Sequence, residues 1–95
     1  MPNLFTFRGY VIYFWAGDGN EPLRVHVSLG APSPVSAKFW LTKDGRAILA
    51  NNAPNFGKKD IRQLTKIIQI NHKRICDQWE DMFGRSPEFF NYNEA

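Results

Sequence analysis

The hydrophobic pattern of this chain changes period once, and that change constrains the fold more than any other feature. Before about residue 50, apolar and polar residues alternate, which is typical of half-buried strands. Over residues 58–83 the apolar residues recur at steps of three and four, which is typical of an amphipathic helix. Strands gathered first and a helix after them predict an α+β fold.

Four segments have the composition or alternation of strands. Their predicted bounds are residues 5–15, 24–29, 36–42 and 46–49. Both faces of the first segment are apolar, so it is interpreted as one central strand with a bend or bulge at Gly9. Asp44-Gly45 favours a type I′ hairpin between the last two strands. The prediction is a three- or four-stranded antiparallel meander.

One continuous helix is predicted over residues 58–83, because neither proline nor glycine interrupts this segment. Gly84 and Pro87 mark its end. The helix is expected to cover one face of the sheet. A chain of 95 residues is the size of one domain, so residues 1–84 are interpreted as a single α+β domain. Residues 85–95 form a tail with three aromatic rings, which either docks on the sheet or stays free.

The composition excludes several classes of protein. With 43% hydrophobic and 22% charged residues, the chain is too apolar for a disordered protein. No run reaches the roughly 18 apolar residues of a membrane span. The single cysteine excludes an internal disulfide, and no secretory signal is apparent. We therefore expect a cytoplasmic protein without membrane contact.

The charges are separated along the predicted helix and tail. Residues 58–74 hold six basic side chains and one acidic side chain, whereas residues 75–95 hold five acidic side chains and one basic side chain. The net charge of the whole chain is only +3. This separation suits a charged protein partner or a nucleic acid, and it also suits a homodimer in which acidic ends meet basic stretches.

Several segments together resemble a known family. They are N-E-P-L-R-V-H-V at residues 20–27, K-F-W-L at 38–41, I-L-A-N-N at 48–52, and Trp79. The chain resembles small bacterial proteins of domain of unknown function family 4160, whose signature is roughly E-P-x-H-V-H-V. Arg24 stands where that signature has its first histidine. The resemblance implies an uncharacterised prokaryotic protein, often encoded beside another small domain and proposed to form a toxin–antitoxin-like pair.

Two surfaces are candidate binding sites. On the sheet face away from the helix, alternation places together Arg24, His26, Lys38 and Trp40. Cations beside rings can stack bases and neutralise phosphates, whereas an ordinary sheet face would be solvated or covered by the tail. On the outer face of the helix, the candidate partner surface consists of Lys59, Arg62, Lys66 and Lys73. Either a protein or an RNA could bind there, and simple solvation is the alternative.

Neither a metal site nor a catalytic site is predicted. His26 lacks a second ligand, and the charge of Arg24 repels a cation, so no metal or cofactor is expected. Cys76 lies beside the buried helical stripe, where burial raises the pKa of a thiol. His72 lies on that stripe and is interpreted as a packed, hydrogen-bonded residue.

The sequence favours a binding protein that acts through a small co-encoded protein partner, as one component of a two-gene toxin–antitoxin-like module. The alternative is a small RNA-binding or RNA-cleaving protein that uses the sheet face. In that alternative, His26 acts as acid or base and Arg24 or Lys38 steadies an oxyanion, but no second proton-transfer group pairs with His26.

Overall fold

A computed structural model describes residues 3–90 of the chain. It contains strands β1 (Asn3–Phe7), β2 (Tyr10–Tyr13), β3 (Arg24–Leu29), β4 (Ala37–Leu41) and β5 (Ala47–Asn52), a 3₁₀ turn (Ala16–Asn20), and helices α1 (Lys58–Ile70) and α2 (His72–Phe83). The strands form one antiparallel meander in the order β1-β2-β3-β4-β5. The predicted α+β class is therefore confirmed.

The described sheet has five strands rather than three or four, because residues 5–15 are not one strand. Arg8 and Gly9 have φ values of 50° and 84°, and positive φ at both positions is what a two-residue type I′ hairpin requires. The chain therefore reverses between β1 and β2. Phe5 lies opposite Ile12 and shares its face of the sheet, although a single strand would have placed these residues on opposite faces.

The predicted single helix is also wrong in detail, because the helix breaks at Asn71. The Asn71 side-chain amide donates to the Ile67 carbonyl oxygen at 2.9 Å. The Asn71 backbone N–H is shared between the carbonyl oxygens of Ile67 and Ile68, at 3.1 and 3.2 Å. A side chain that competes for helical carbonyls bends a helix without proline or glycine. The predicted end is confirmed, since α2 stops at Gly84, whose φ is 72°.

The main core lies between one face of the sheet and the two helices. Leu64 and Ile68 of α1 and Ile75 and Trp79 of α2 are fully buried there. Their partners from the sheet and its flanking segments include Ile12, Phe14, Leu23, Val25, Val27, Ala37, Phe39 and Leu41. The two half-helices bury their apolar stripes against one sheet surface, as the steps of three and four predict.

The opposite sheet face is covered by loops. Tyr13 and Ser28 on this face are buried. The Tyr13 hydroxyl donates to the Ser33 carbonyl oxygen at 3.0 Å and lies 2.8 Å from Ser28 Oγ. The Ser33 backbone N–H donates to the Tyr13 hydroxyl oxygen at 3.2 Å. These bonds hold the β3–β4 loop over the sheet, so this face is largely shielded from solvent.

The described part of the tail docks on the domain. The Leu23 backbone N–H donates to the Glu88 carbonyl oxygen at 2.7 Å. Phe89 stacks on His72 of α2, and Phe90 stacks on Trp40 of β4, with ring centroids 6.0 and 5.3 Å apart. The tail therefore connects the helix layer to the far face of the sheet. Tyr92, the third ring of the predicted tail, lies outside the described residues.

Candidate functional site

The register of β3 and β4 brings the four candidate residues of the sheet to one face. Arg24 lies opposite Trp40, and His26 lies opposite Lys38. Residues paired across antiparallel strands project to the same side, so these side chains are neighbours. Their exposure differs, however. His26 is buried, with 1% of its surface accessible, whereas the other three are half-buried.

His26 belongs to a buried polar cluster, named here the Asp18 cluster, which consists of Asp18, Arg24, His26 and Ser36. His26 Nε2 lies 2.9 Å from Asp18 Oδ2, and His26 Nδ1 lies 3.2 Å from Ser36 Oγ. A carboxylate only accepts hydrogen bonds, so Nε2 carries the hydrogen of this contact. The cluster ties the 3₁₀ turn and the segment before β4 to strand β3.

The Asp18 carboxylate stays ionised although it is buried. Burial acts to raise its pKa, but hydrogen bonds from His26 and from the Trp15 backbone N–H, together with the charge of Arg24, hold the pKa below its usual value. Arg24 Nη2 lies 3.3 Å from Asp18 Oδ1. Three donors thus converge on one buried anion, which is the condition under which a protein retains such a charge.

The chain of hydrogen bonds from Asp18 through His26 to Ser36 resembles a catalytic triad, in which a histidine activates a nucleophile. Between 1% and 3% of the surface of each residue is accessible, so a substrate atom cannot reach Ser36 Oγ in this structure. Two rings also enclose the imidazole: Tyr13 stacks on it at 5.5 Å and Trp15 approaches edge-on at 6.0 Å. The geometry therefore holds loops in place and does not present a reactive group.

Trp40 is the ring of the predicted base-stacking platform, and its contacts lie within the chain. Phe90 stacks on it with an interplanar angle of 9°, and the Arg24 guanidinium lies 5.6 Å from its ring centroid. The side chain of Lys38, beside it, makes no ion pair with any residue from 3 to 90. The platform is therefore partly occupied by the protein's own tail.

The outer side of α1 is the exposed basic surface of the molecule. Lys59, Arg62 and Lys66, named here the α1 cationic face, are exposed, and their side chains form no ion pair with the described residues. Asp60 forms no ion pair with them, and its carboxylate accepts a hydrogen bond from the Tyr10 hydroxyl at 3.0 Å. Lys73, the fourth predicted residue of this surface, differs because its Nζ lies 2.9 Å from Asp77 Oδ2.

Cys76 and His72 have structural roles in the packing of the helix against the sheet. Burial raises the pKa of the Cys76 thiol to about 11, and the nearby Asp77 and Glu80 contribute to the shift. Such a thiol is protonated at neutral pH, so it is a poor nucleophile. His72 Nε2 lies 2.7 Å from the Thr42 carbonyl oxygen and donates to it. Both observations confirm the packed roles that the sequence predicts.

The described residues contain neither a cluster suited to a metal ion nor a helix suited to a membrane. Within residues 3–90, no group of three or more histidine, cysteine, aspartate or glutamate side chains is placed to hold a metal ion. Among the same residues, neither helix has the length and apolar character needed to span a membrane.

The sequence pattern did not indicate Asp18, which stands in the turn-like segment Gly17-Asp18-Gly19-Asn20. Asp18 does lie in the 3₁₀ turn, but the backbone there directs its carboxylate toward β3. The available signal was an acidic residue shortly before a strand that carries Arg24 and His26 on one face. A half-buried cation and a buried imidazole on adjacent same-face positions call for an anion nearby.

Comparison with known proteins gives one match. The model of a family described as a domain of unknown function, DUF4160, matches residues 9–80, which is most of the chain. Neither the curated proteins nor the solved structures include a match.

Proposed function

Since the chain belongs to the DUF4160 family, we propose that it is a binding protein and one component of a two-gene toxin–antitoxin-like module. Its partner is a small acidic protein encoded beside it. The contact surface is the α1 cationic face, formed by Lys59, Arg62 and Lys66.

The unpaired charge of the α1 cationic face carries this proposal. Three cations lie on one exposed helical surface, and no described acidic side chain forms an ion pair with them. Their mutual repulsion is relieved when an acidic surface approaches. Complementary charge also accelerates encounter and disfavours wrong partners.

The sheet face supports the RNA alternative less well. Base stacking needs an accessible aromatic face. Trp40 is already stacked by Phe90, and His26 is enclosed by Tyr13 and Trp15. An RNA would have to displace the tail before it could use this platform. The α1 cationic face is exposed, so a partner can bind it without displacing the tail.

Co-purification of this chain with the product of the neighbouring reading frame tests the proposal. Two double variants with the same change in charge provide the comparison: Lys59→Glu/Lys66→Glu on α1, and Lys38→Glu/Lys43→Glu on the sheet side. We expect the first variant to lose the partner and the second to retain it. The side chains of Lys59, Lys66 and Lys43 are exposed, so circular dichroism should show unchanged folding for the α1 variant.

Three outcomes would contradict the proposal. One is a partner retained by both variants, and another is a partner lost only with Lys38→Glu/Lys43→Glu, which would place the contact on the sheet face. The third is co-purified nucleic acid that dissociates steeply as salt rises, with no bound protein, because phosphate contacts depend strongly on salt.

A further inference from the structure

Ile70 is an unusual residue on the outer face of the helices. Its side chain is 77% exposed, more than any other large hydrophobic side chain in residues 3–90. It is the last residue of α1, directly before the break at Asn71. A single exposed aliphatic residue is common on protein surfaces, so its meaning depends on what surrounds it.

The exposed charges at the two ends of this face have opposite signs, and the exposed Lys73 and Arg74 lie between Ile70 and the acidic end. Lys59 and Arg62 precede it, and Asp77 and Asp81 follow it. At a rise of about 1.5 Å per residue, Arg62 and Asp77 lie roughly 12 and 10 Å from Ile70 along the helix. By the same measure Lys59 and Asp81 each lie roughly 16 Å from it. The two ends of this face, about 16 Å from Ile70 in each direction, therefore carry charges of opposite sign.

We infer that the outer face of α1 and α2 is an interface with a second copy of this chain, which it meets antiparallel about a two-fold axis near Ile70. A two-fold axis uses the same patch on both copies, so the patch must be complementary to itself. In this arrangement Ile70 meets Ile70 of the other copy. Lys59 and Arg62 face the acidic half of that copy, and the same two contacts recur on the other side of the axis.

The tail does not contribute to this interface through its described rings. Phe89 and Phe90 stack on His72 and Trp40 of their own chain, so they are not free to anchor a second copy. The Lys73–Asp77 pair does lie on the interface, with side chains 90% and 57% exposed. Such an exposed pair contributes little to stability, so Asp77 can exchange its partner at little cost.

The inference goes beyond the proposed function and does not rest on it. The homodimer and the complex with the co-encoded protein both use Lys59 and Arg62. They therefore compete for one surface, and the two associations can be measured separately.

Sedimentation velocity of the purified chain alone tests the interface. Two double variants each reverse the charge of one half of the interface. Lys59→Glu/Arg62→Glu replaces basic residues by acidic ones, so both halves become acidic. Asp77→Lys/Asp81→Lys replaces acidic residues by basic ones, so both halves become basic. We expect the wild type to form dimers and each variant alone to be monomeric. An equimolar mixture of the two variants is expected to form a mixed dimer, because residues 59 and 62 of each copy again face charges of opposite sign at residues 77 and 81 of the other.

Ile70→Glu is expected to abolish the wild-type dimer, because it places two carboxylates at the axis. Val35→Glu is the matched control, since Val35 is 57% exposed on a loop away from the helices, and it should leave the dimer intact. A wild type that stays monomeric at about 1 mM would overturn the inference. Equal dimerisation of Ile70→Glu, or a mixture of charge variants that remains monomeric, would also overturn it.

Discussion

At the scale of single residues, the buried carboxylate of Asp18 links strand β3 to the segment before it through hydrogen bonds. It accepts from His26, from the Trp15 backbone N–H and from Arg24. Ser36 extends the same cluster through the other ring nitrogen of His26. Alternation in β3 and β4 predicted the shared face correctly. It did not predict that this face is buried, because the loops that cover it have no regular hydrophobic pattern.

His26→Ala is therefore expected to destabilise the fold by about 2 to 3 kcal/mol, since it removes a donor from a buried carboxylate and leaves Ser36 Oγ unpaired. Urea denaturation measures the change. Lys38→Ala, at the paired position on the same sheet face, is the control and should change the unfolding free energy by less than about 0.5 kcal/mol. Equal effects of the two substitutions would mean that the cluster does not support the fold.

The depressed pKa of Asp18 predicts how stability depends on pH. A carboxyl whose pKa is lower in the folded state stabilises the fold above its unfolded pKa of 3.8, and this contribution is lost as the pH falls through the folded value. Urea denaturation at several pH values below about 5 should therefore show a weaker pH dependence for Asp18→Asn than for wild type. Asp81→Asn is the control, because Asp81 is exposed. Identical pH profiles for wild type and Asp18→Asn would contradict this account.

At the scale of elements, local backbone chemistry decided the two features that the periodic pattern could not predict. The Arg8-Gly9 turn divides one apolar segment into two strands. The Asn71 side chain breaks one apolar helical stripe into two helices. Hydrophobic periodicity continues through both positions, so it reports which face is buried and not whether the backbone is continuous. Gly84 was predictable because glycine in the left-handed region is a common helix end.

Gly9→Ala tests the first hairpin. The φ of Gly9 is 84°, whereas a Cβ built there would meet Leu29 Cδ1 at an ordinary 3.7 Å, so the cost is conformational rather than steric. We expect a loss of about 1 kcal/mol in unfolding free energy. Gly57→Ala is the matched control, because Gly57 has φ −65° and open space around its Cα. A stability change for Gly9→Ala no larger than the change for Gly57→Ala would argue against a type I′ turn.

At the scale of the whole molecule, both faces of the sheet are largely covered, and the outer side of the helices is exposed. The α1 and α2 layer covers one face, while loops and the docked tail cover the other. The sequence predicted both candidate surfaces but not which one is accessible. The accessibility of each surface depends on where irregular segments such as residues 30–36 and 85–90 pack. Neither secondary-structure propensity nor hydrophobic periodicity predicts the packing of such segments.

Lysine footprinting of the complex with the neighbouring gene product tests the central claim most directly. Acetylation rates of individual lysines, read by mass spectrometry, are compared between the chain alone, at a concentration low enough to keep it monomeric, and the complex. Binding at the α1 cationic face predicts that modification of Lys59 and Lys66 slows markedly, while modification of Lys43, in the β4–β5 turn, is unchanged. Unchanged rates at Lys59 and Lys66 in a complex that is fully formed would contradict the claim.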